Sequence, residues 1–191
     1  YSQAWRTLTK AVSASGAPRG STIYFAPGFY IMKVTYTMNG GSGTTNIIGD
    51  PLCTKFSDLE SGYVYWNCFG YFSDYYSLTS FDGNGGNARP DSIDNWYFSN
   101  IRFINDPAGG QAIGFINCSN ILMEKCFFES TGGYAFEVTT KQNAATNLVV
   151  RNSIFTAPVW IYMSEPTTGD LDCNIKFENC NMSNVDITRG T

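Results

Sequence analysis

The chain has 191 residues, of which 43% are apolar and 16% aromatic, so one domain with a continuous core is expected. Its formal net charge of −4 lacks the positive field on which phosphate binding depends, and no apolar run approaches the roughly 18 residues of a membrane span. These features argue against nucleic acid as a partner and against membrane insertion.

The first predicted element is a short amphipathic helix. Within residues 1–20, Trp5, Leu8, Ala11 and Val12 fall on one helical face. A solenoid must cover its first coil, because exposed strand edges pair with other chains. We therefore predict that residues 1–20 form an N-terminal cap and that residues 21–51 form the first coils of one β-helix domain spanning 1–191.

Three motifs in this opening region carry a resemblance to a known family. They are Ala4-Trp5-Arg6-Thr7-Leu8, Gly20-Ser21-Thr22-Ile23-Tyr24-Phe25-Ala26-Pro27-Gly28 and Asn46-Ile47-Ile48-Gly49-Asp50-Pro51. Together they resemble the start of right-handed parallel β-helix proteins of the pectate-lyase-like superfamily, and most closely the β-helix modules of large phage structural proteins. That superfamily includes polysaccharide lyases, galacturonases and non-enzymatic parts of phage tails, so the resemblance implies a fold more specifically than a function.

Residues 52–95 interrupt the pattern and are dense in aromatic side chains. They are interpreted either as larger, irregular coils with their own core or as an external insertion that meets a partner or a sugar. Asp82, Asn84 and Asn87 place oxygen ligands in alternation and form a candidate calcium site, although a sequence of this kind is more often a plain turn. No other cofactor is expected.

Residues 96–191 contain one short strand motif written four times. The copies are Asn100-Ile101-Arg102-Phe103-Ile104-Asn105, Asn120-Ile121-Leu122-Met123-Glu124-Lys125, Asn147-Leu148-Val149-Val150-Arg151-Asn152 and Asn174-Ile175-Lys176-Phe177-Glu178-Asn179. Their leading asparagines are 20, 27 and 27 residues apart, a period typical of solenoids. A second strand in each coil is marked by Phe115, Phe136, Ile161 and Ile187.

Stacking these coils predicts ladders of like side chains along the solenoid axis. The predicted inward ladders are Ile101/Ile121/Leu148/Ile175, Phe103/Met123/Val150/Phe177 and Phe128/Phe155/Met182. The predicted outward ladders are Arg102/Leu122/Val149/Lys176 and Ile104/Glu124/Arg151/Glu178. The charges of the second outward ladder alternate in sign, which favours structural ion pairs over a catalytic cluster.

The six cysteines contain no Cys-x-x-Cys pair, which argues against a zinc ribbon. Cys126 and Cys180 should lie two coils apart, at roughly 9 to 10 Å, which is beyond disulfide reach. We expect mostly free, buried thiols, with Cys53 and Cys68 as the one pair that could be bridged.

The absence of histidine excludes Ser-His and Cys-His nucleophile pairs and imidazole acid–base catalysis. The Asn-Thr-Asp, Asp-Asp, Gly-His-Gly and Arg-Ile-Lys motifs of galacturonases are also missing. If the chain is an enzyme, its best carboxylate cluster lies near two outward aromatic residues that could hold a sugar. The carboxylates are Glu165, Asp170, Asp172 and Asp186, and the aromatic residues are Trp160 and Tyr162.

The sequence is compatible with two functions. The favoured one is a non-catalytic structural or host-recognition module of a bacteriophage particle, at the virion surface as a capsid decoration or tail appendage. Its partners would be other virion proteins, copies of itself or a cell-surface polysaccharide. The alternative is a polysaccharide-degrading lyase or glycoside hydrolase. Because the last coil is unfinished, we expect a longer chain or an assembly to cover it.

Overall fold

A computed structural model describes residues 20–31, 36–37, 43–56, 58–67, 80–82, 95–105, 112–116, 120–140, 146–163 and 173–189. The expected capping helix lies outside these ranges, and so do Asn84 and Asn87 of the calcium candidate.

The described residues form seventeen strands and no helix. In chain order they are β1 (Thr22–Phe25), β2 (Gly28–Ile31), β3 (Tyr36–Thr37), β4 (Thr45–Gly49), β5 (Val64–Asn67), β6 (Ser80–Asp82), β7 (Trp96–Ser99), β8 (Arg102–Asn105), β9 (Ile113–Ile116), β10 (Ile121–Glu124), β11 (Phe127–Ser130), β12 (Phe136–Thr140), β13 (Thr146–Arg151), β14 (Ile154–Phe155), β15 (Val159–Met163), β16 (Cys173–Glu178) and β17 (Val185–Arg189).

These strands form three parallel sheets, which the chain visits in turn on each coil. The first sheet has the order β1-β4-β7-β10-β13-β16, the second β2-β5-β8-β11-β14 and the third β3-β6-β9-β12-β15-β17. The predicted all-β parallel β-helix is therefore confirmed as a parallel β-solenoid. Nothing in the described ranges is a helix of membrane-spanning length and apolarity.

The corner between the first and second sheets is made by one residue in the left-handed backbone region. In successive coils this residue is Asn100 (φ 56°), Lys125 (φ 53°), Asn152 (φ 52°) and Asn179 (φ 51°). Asparagine tolerates this conformation better than other residues with a side chain. The repeated asparagines of the sequence are thus explained in part by the backbone geometry of the corner.

The first copy of the repeat lies one sheet away from its predicted place. The strand that pairs with β10 on the side of the preceding coil is β7, so Trp96 and not Ile101 aligns with Ile121. Strand β8 lies in the second sheet, where Phe103 aligns with Phe128. The corrected inward ladders of the first sheet are Trp96/Ile121/Leu148/Ile175 and Phe98/Met123/Val150/Phe177. Their outward neighbours begin with Tyr97 and Ser99 instead of Arg102 and Ile104.

The first copy of the repeat was assigned to the wrong sheet because two left-handed corners flank β7. Asn95 (φ 70°) precedes the strand and Asn100 (φ 56°) follows it. Each asparagine is followed by an apolar, a polar or amphipathic and an apolar residue, so both segments fit the same motif. Only the pairing of the strands distinguishes them.

The third sheet differs from the predicted marker positions by two residues at one strand. Val138, and not Phe136, aligns with Phe115 and Ile161, while Phe136 aligns with Ile113. Both residues of β12 still point inward, because a shift of two preserves the face of a strand. The corrected ladder is Phe115/Val138/Ile161/Ile187.

The core is filled by a row of large side chains from the second sheet. The row runs through Tyr30, Trp66, Phe103, Phe128 and Phe155, and Met182 continues it because its neighbour Asn181 bridges to Ile154. The stack predicted from Phe128, Phe155 and Met182 is confirmed in this longer form. The rings of Phe128 and Phe155 are stacked with centroids 4.5 Å apart, and Trp66 is fully buried.

The chain leaves the first sheet at Gly49, where a side chain has no room. A Cβ atom at this residue would lie 2.2 Å from the Asn100 carbonyl oxygen of the next coil. Beyond it, the Asp50 carboxylate accepts hydrogen bonds from the backbone N–H groups of Thr54 and Lys55. This turn begins the loop that returns to the second sheet at Val64.

Candidate functional site

The outer face of the third sheet, at its C-terminal end, brings aromatic and polar side chains together. Strand register places Glu137, Trp160 and Asp186 in one outward row across β12, β15 and β17. A parallel row two residues further along contains Tyr162 and Thr188. Neighbouring members of a row are about 4.8 Å apart, so side chains from three coils share one surface.

Three rings on this face form a continuous surface that we call the aromatic platform, made of Tyr134, Trp160 and Tyr162. The Tyr134 and Trp160 rings are stacked with centroids 5.3 Å apart and planes 22° apart. The Tyr162 ring is tilted by 51° from Trp160 at 5.8 Å. All three residues are half-buried, so each ring is supported on one side and open to solvent on another.

Polar groups border the aromatic platform. The Trp160 indole N–H donates to the Thr188 hydroxyl oxygen at 3.1 Å. The Asp186 carboxylate accepts hydrogen bonds from the Asn184 amide, at 2.7 Å, and from the Tyr134 hydroxyl. Burial raises the pKa of Tyr134, and the negative charge of Asp186 raises it further. Tyr134 therefore stays protonated at neutral pH and acts as a donor, not as a base.

This arrangement is suited to binding a ring-shaped amphipathic ligand. A flat aromatic surface packs against the C–H face of such a ligand, while hydroxyl, amide and carboxylate groups at its border exchange hydrogen bonds with polar substituents. Of the four carboxylates expected in an enzyme, the structure places only Asp186 at the platform. Glu165, Asp170 and Asp172 lie outside the described residues.

The outward charged ladder on the first sheet is structural in its geometry. Glu124 and Arg151 are register partners and form an ion pair at 3.3 Å, while Glu178 pairs with Lys176 of its own strand. The Tyr97 hydroxyl donates to the Glu124 carboxylate at 2.9 Å. This hydrogen bond, followed by those from Arg151, lowers the pKa of Glu124.

The described cysteines are unsuited to nucleophilic chemistry. Cys53, Cys126 and Cys180 are free thiols, as expected for Cys126 and Cys180, whereas Cys68, the expected partner of Cys53, lies outside the described residues. Burial raises the pKa of all three, and that of Cys126 reaches about 12. A protonated thiol is a poor nucleophile and a poor metal ligand at neutral pH.

Metal ligands are not clustered in the described part of the chain. Those residues contain no group of three or more Asp, Glu or Cys side chains that could hold a metal ion. Asp82 of the calcium candidate ends strand β6, while its two asparagine partners lie outside the described ranges.

Sequence reasoning selected Trp160, Tyr162 and Asp186 but missed Tyr134 and Thr188. Tyr134 approaches Trp160 from the turn before β12, where the alternation of a strand does not apply. The available signal was the alternation within β12, β15 and β17, which marks Glu137, Trp160 and Asp186 as outward positions.

No protein-family model, no curated protein and no solved structure matches this chain.

Proposed function

We propose that this chain is a non-catalytic recognition module of a bacteriophage particle, which binds a saccharide chain on the outer face of its third sheet. The observation that carries the proposal is the Tyr134–Trp160 stack with a hydrogen-bonded polar border. Hexose rings have an apolar C–H face and polar edges, so they match an open aromatic surface of this kind.

The surrounding architecture supports a role in a particle surface. Parallel coils that bond to their neighbours through three sheets form a stiff rod with a repeated outer surface. The resemblance of the opening segment to phage β-helix modules supports the phage assignment. The proposal includes right-handed winding, which is the rule for parallel crossovers, a capping helix in residues 1–20, and neighbours that are virion proteins or copies of this chain.

The proposal is tested by measuring retention of the protein on immobilised bacterial polysaccharides. Trp160→Ala should abolish retention on any neutral polysaccharide that holds the parent protein, because it removes the centre of the platform. Tyr24→Ala is the matched control, since Tyr24 is a partly exposed aromatic residue on the outer face of the first sheet. Equal loss in both variants, or no loss in Trp160→Ala, would contradict the proposed site.

A depolymerase is the second candidate, and one observation favours it. Glu137 and Asp186 lie on either side of Trp160 in the same row, so their Cα atoms are roughly 9 to 10 Å apart. Inverting glycosidases hold their carboxyl groups about 6.5 to 9.5 Å apart. Against it, Asp186 already accepts two hydrogen bonds.

Catalysis is tested by incubating the protein with acidic and neutral polysaccharides. New reducing ends report hydrolysis, and ultraviolet absorbance of unsaturated products reports elimination. We expect no turnover. Cleavage that disappears in Asp186→Asn or Glu137→Gln would make the platform an active site. Cleavage that survives both but disappears in Asp170→Asn or Asp172→Asn would place the active site within residues 164–172.

A further inference from the structure

A second cluster of polar and aromatic groups lies on the outer face of the second sheet. Its outward row is Phe29, Tyr65, Arg102, Phe127 and Ile154. The Arg102 guanidinium carbon lies 4.0 Å from the Tyr63 ring centre and 4.3 Å from that of Phe127. Its Nη1 group donates to the Tyr65 hydroxyl at 3.2 Å. The guanidinium is thus held between rings in a fixed orientation.

A groove of about 320 Å³ runs beside this residue, and we call it the Arg102 groove. One wall is the corner between the first and second sheets, where Asn100, Lys125 and Asn152 follow one another in successive coils. Tyr63 and Ile154, which are both exposed, contribute apolar surface. The groove therefore offers two cations, two side-chain amides and ring surfaces within a length of three coils, about 10 Å.

Neither cation of the groove forms a direct ion pair in the described part of the chain, while the charge of Lys125 acts on the neighbouring Glu124 carboxylate. The ion pairs found there join Arg151 to Glu124 and Lys176 to Glu178. The Glu124 carboxylate, which is the acidic group adjacent in sequence to Lys125, binds Arg151 and the Tyr97 hydroxyl. In a chain with a net charge of −4, two cations that line one groove without a direct ion pair to a described residue are a local exception.

We propose that the Arg102 groove binds a carboxylate-bearing sugar residue. A guanidinium fixed between rings presents its planar edge for two parallel hydrogen bonds to a carboxylate, and Lys125 adds a second positive charge. The sugar ring then packs against Tyr63 and Ile154, and its hydroxyl groups reach the Asn100 and Asn152 amides. This site is on a different sheet from the aromatic platform and does not depend on the function proposed for it.

The lining favours a sugar over an acidic peptide. Extended peptides gain affinity by adding a strand to an open sheet edge, but β8 and β11 beside this groove are paired on both sides, and the end strand β14 is bridged at Ile154 to Asn181. Alternating ring faces and amides correspond to the C–H faces and hydroxyl groups of a pyranose.

The test compares the methyl glycosides of glucuronic and galacturonic acid with their methyl esters, by titration calorimetry and by amide NMR shifts. The acid and its ester share every ring atom and differ in charge. We expect the acids to bind and to shift amides of β8 and β11, and the esters to bind at least about tenfold more weakly.

Substitutions test whether the difference in binding between acid and ester arises in the Arg102 groove. Arg102→Gln should weaken acid binding about tenfold, and Arg102→Lys should restore it only partly because the planar fork is lost. Lys176→Gln removes the same charge from the first sheet and should leave binding unchanged. Lys125→Gln provides a second groove variant if Arg102→Gln does not fold.

Four results would overturn the proposal. The first three are equal binding of acid and ester, binding of neither acid at any accessible concentration, and equal or tighter binding of an aspartate-containing tripeptide. A loss of acid binding in Trp160→Ala but not in Arg102→Gln would also overturn it, and would move the acid site to the aromatic platform.

Discussion

Phe103 and Lys176 represent the two kinds of position that alternate along the strands of this solenoid. Phe103 is fully buried, with its ring 5.3 Å from Phe128 and 5.4 Å from Trp66. Lys176 points outward, and 60% of its side chain is exposed. A side chain's position on the strand, more than its chemical type, therefore determines how much stability it contributes.

Replacing Phe103 by Ala should lower the free energy of unfolding by about 3 to 5 kcal/mol, because it leaves a cavity in a continuous aromatic row. Lys176→Ala should change it by less than about 1 kcal/mol. Phe177→Ala should fall between them, since Phe177 is only half-buried in the last coil. Urea unfolding of the three variants measures these differences, and equal losses for Phe103→Ala and Lys176→Ala would refute the assignment of inner and outer faces.

The Glu124 carboxylate should make stability depend on pH. Its pKa in the folded protein lies below the ordinary value of 4.5, so its contribution is fully present above that value and is lost as the pH falls through the lower one. We expect Glu124→Gln to be less stable than the parent near neutral pH and to approach it in acid. Thermal midpoints at several values between about pH 7 and about pH 3 provide the measurement.

A matched control for this effect is Glu129→Gln, at an exposed position of strand β11. Its midpoint near neutral pH should match that of the parent protein, because substitution of an exposed side chain changes stability little. If Glu124→Gln and the parent lose stability in parallel down to the lowest pH, the Tyr97 and Arg151 contacts do not stabilise the carboxylate.

Lys125 occupies a left-handed corner position that asparagine fills after β7, β13 and β16. A lysine pays a backbone cost there that asparagine largely avoids. Lys125→Asn should therefore raise the free energy of unfolding by up to about 1 kcal/mol, whereas Lys125→Ala should not. Chemical denaturation of both variants tests this, and a gain in the alanine variant would attribute the effect to the lost charge instead.

At the scale of elements, the register between β7 and β10 decides the architecture of the central coils. It aligns Tyr97 with Leu122, while Arg102 lies in another sheet. Parallel partners are about 4.8 Å apart at Cα, which is within disulfide range. The Tyr97→Cys, Leu122→Cys variant should therefore form a cross-link under mild oxidation, and Arg102→Cys, Leu122→Cys should not.

Peptide mass mapping identifies the bridge, so the native cysteines do not confuse the result. The raised pKa of buried Cys126 also makes it slow to exchange. A cross-link in the Arg102→Cys, Leu122→Cys variant would contradict this register and would support the alignment of Arg102 with Leu122 that the sequence repeat predicts.

At the scale of the whole molecule, one core connects all coils. The buried side chains form a single hydrophobic cluster that extends from Ile23 in β1 to Ile161 in β15. Each sheet also joins consecutive coils by backbone hydrogen bonds. We therefore predict one cooperative unfolding transition, although stability in a solenoid is built from neighbour contacts.

Hydrogen exchange in rising urea measures this cooperativity. Amides of β4 and of β13 should lose protection at the same urea concentration, since both strands belong to the first sheet and share its core. Separate losses would show that the early and late coils unfold independently.

Within the candidate site, Trp160, Tyr162 and Asp186 were accessible to sequence reasoning because alternation along a strand fixes which side chains face outward. Tyr134 was not, since it lies in a turn where no periodicity applies. The contact of Tyr134 with Trp160 depends on how the chain enters β12. The packing of Arg102 against Tyr63 likewise depends on the loop that returns the chain to the second sheet.

The sequence by itself determined the parallel stacking of coils and the inner and outer faces of the strands, because these follow from a period of two within strands and a repeat of about 27 residues between coils. Only the tertiary structure decided which segment occupies which sheet. Trp96–Phe98 and Ile101–Phe103 carry the same alternation, so local pattern cannot separate them, and the choice falls to the backbone hydrogen bonds and ring packing made with the next coil.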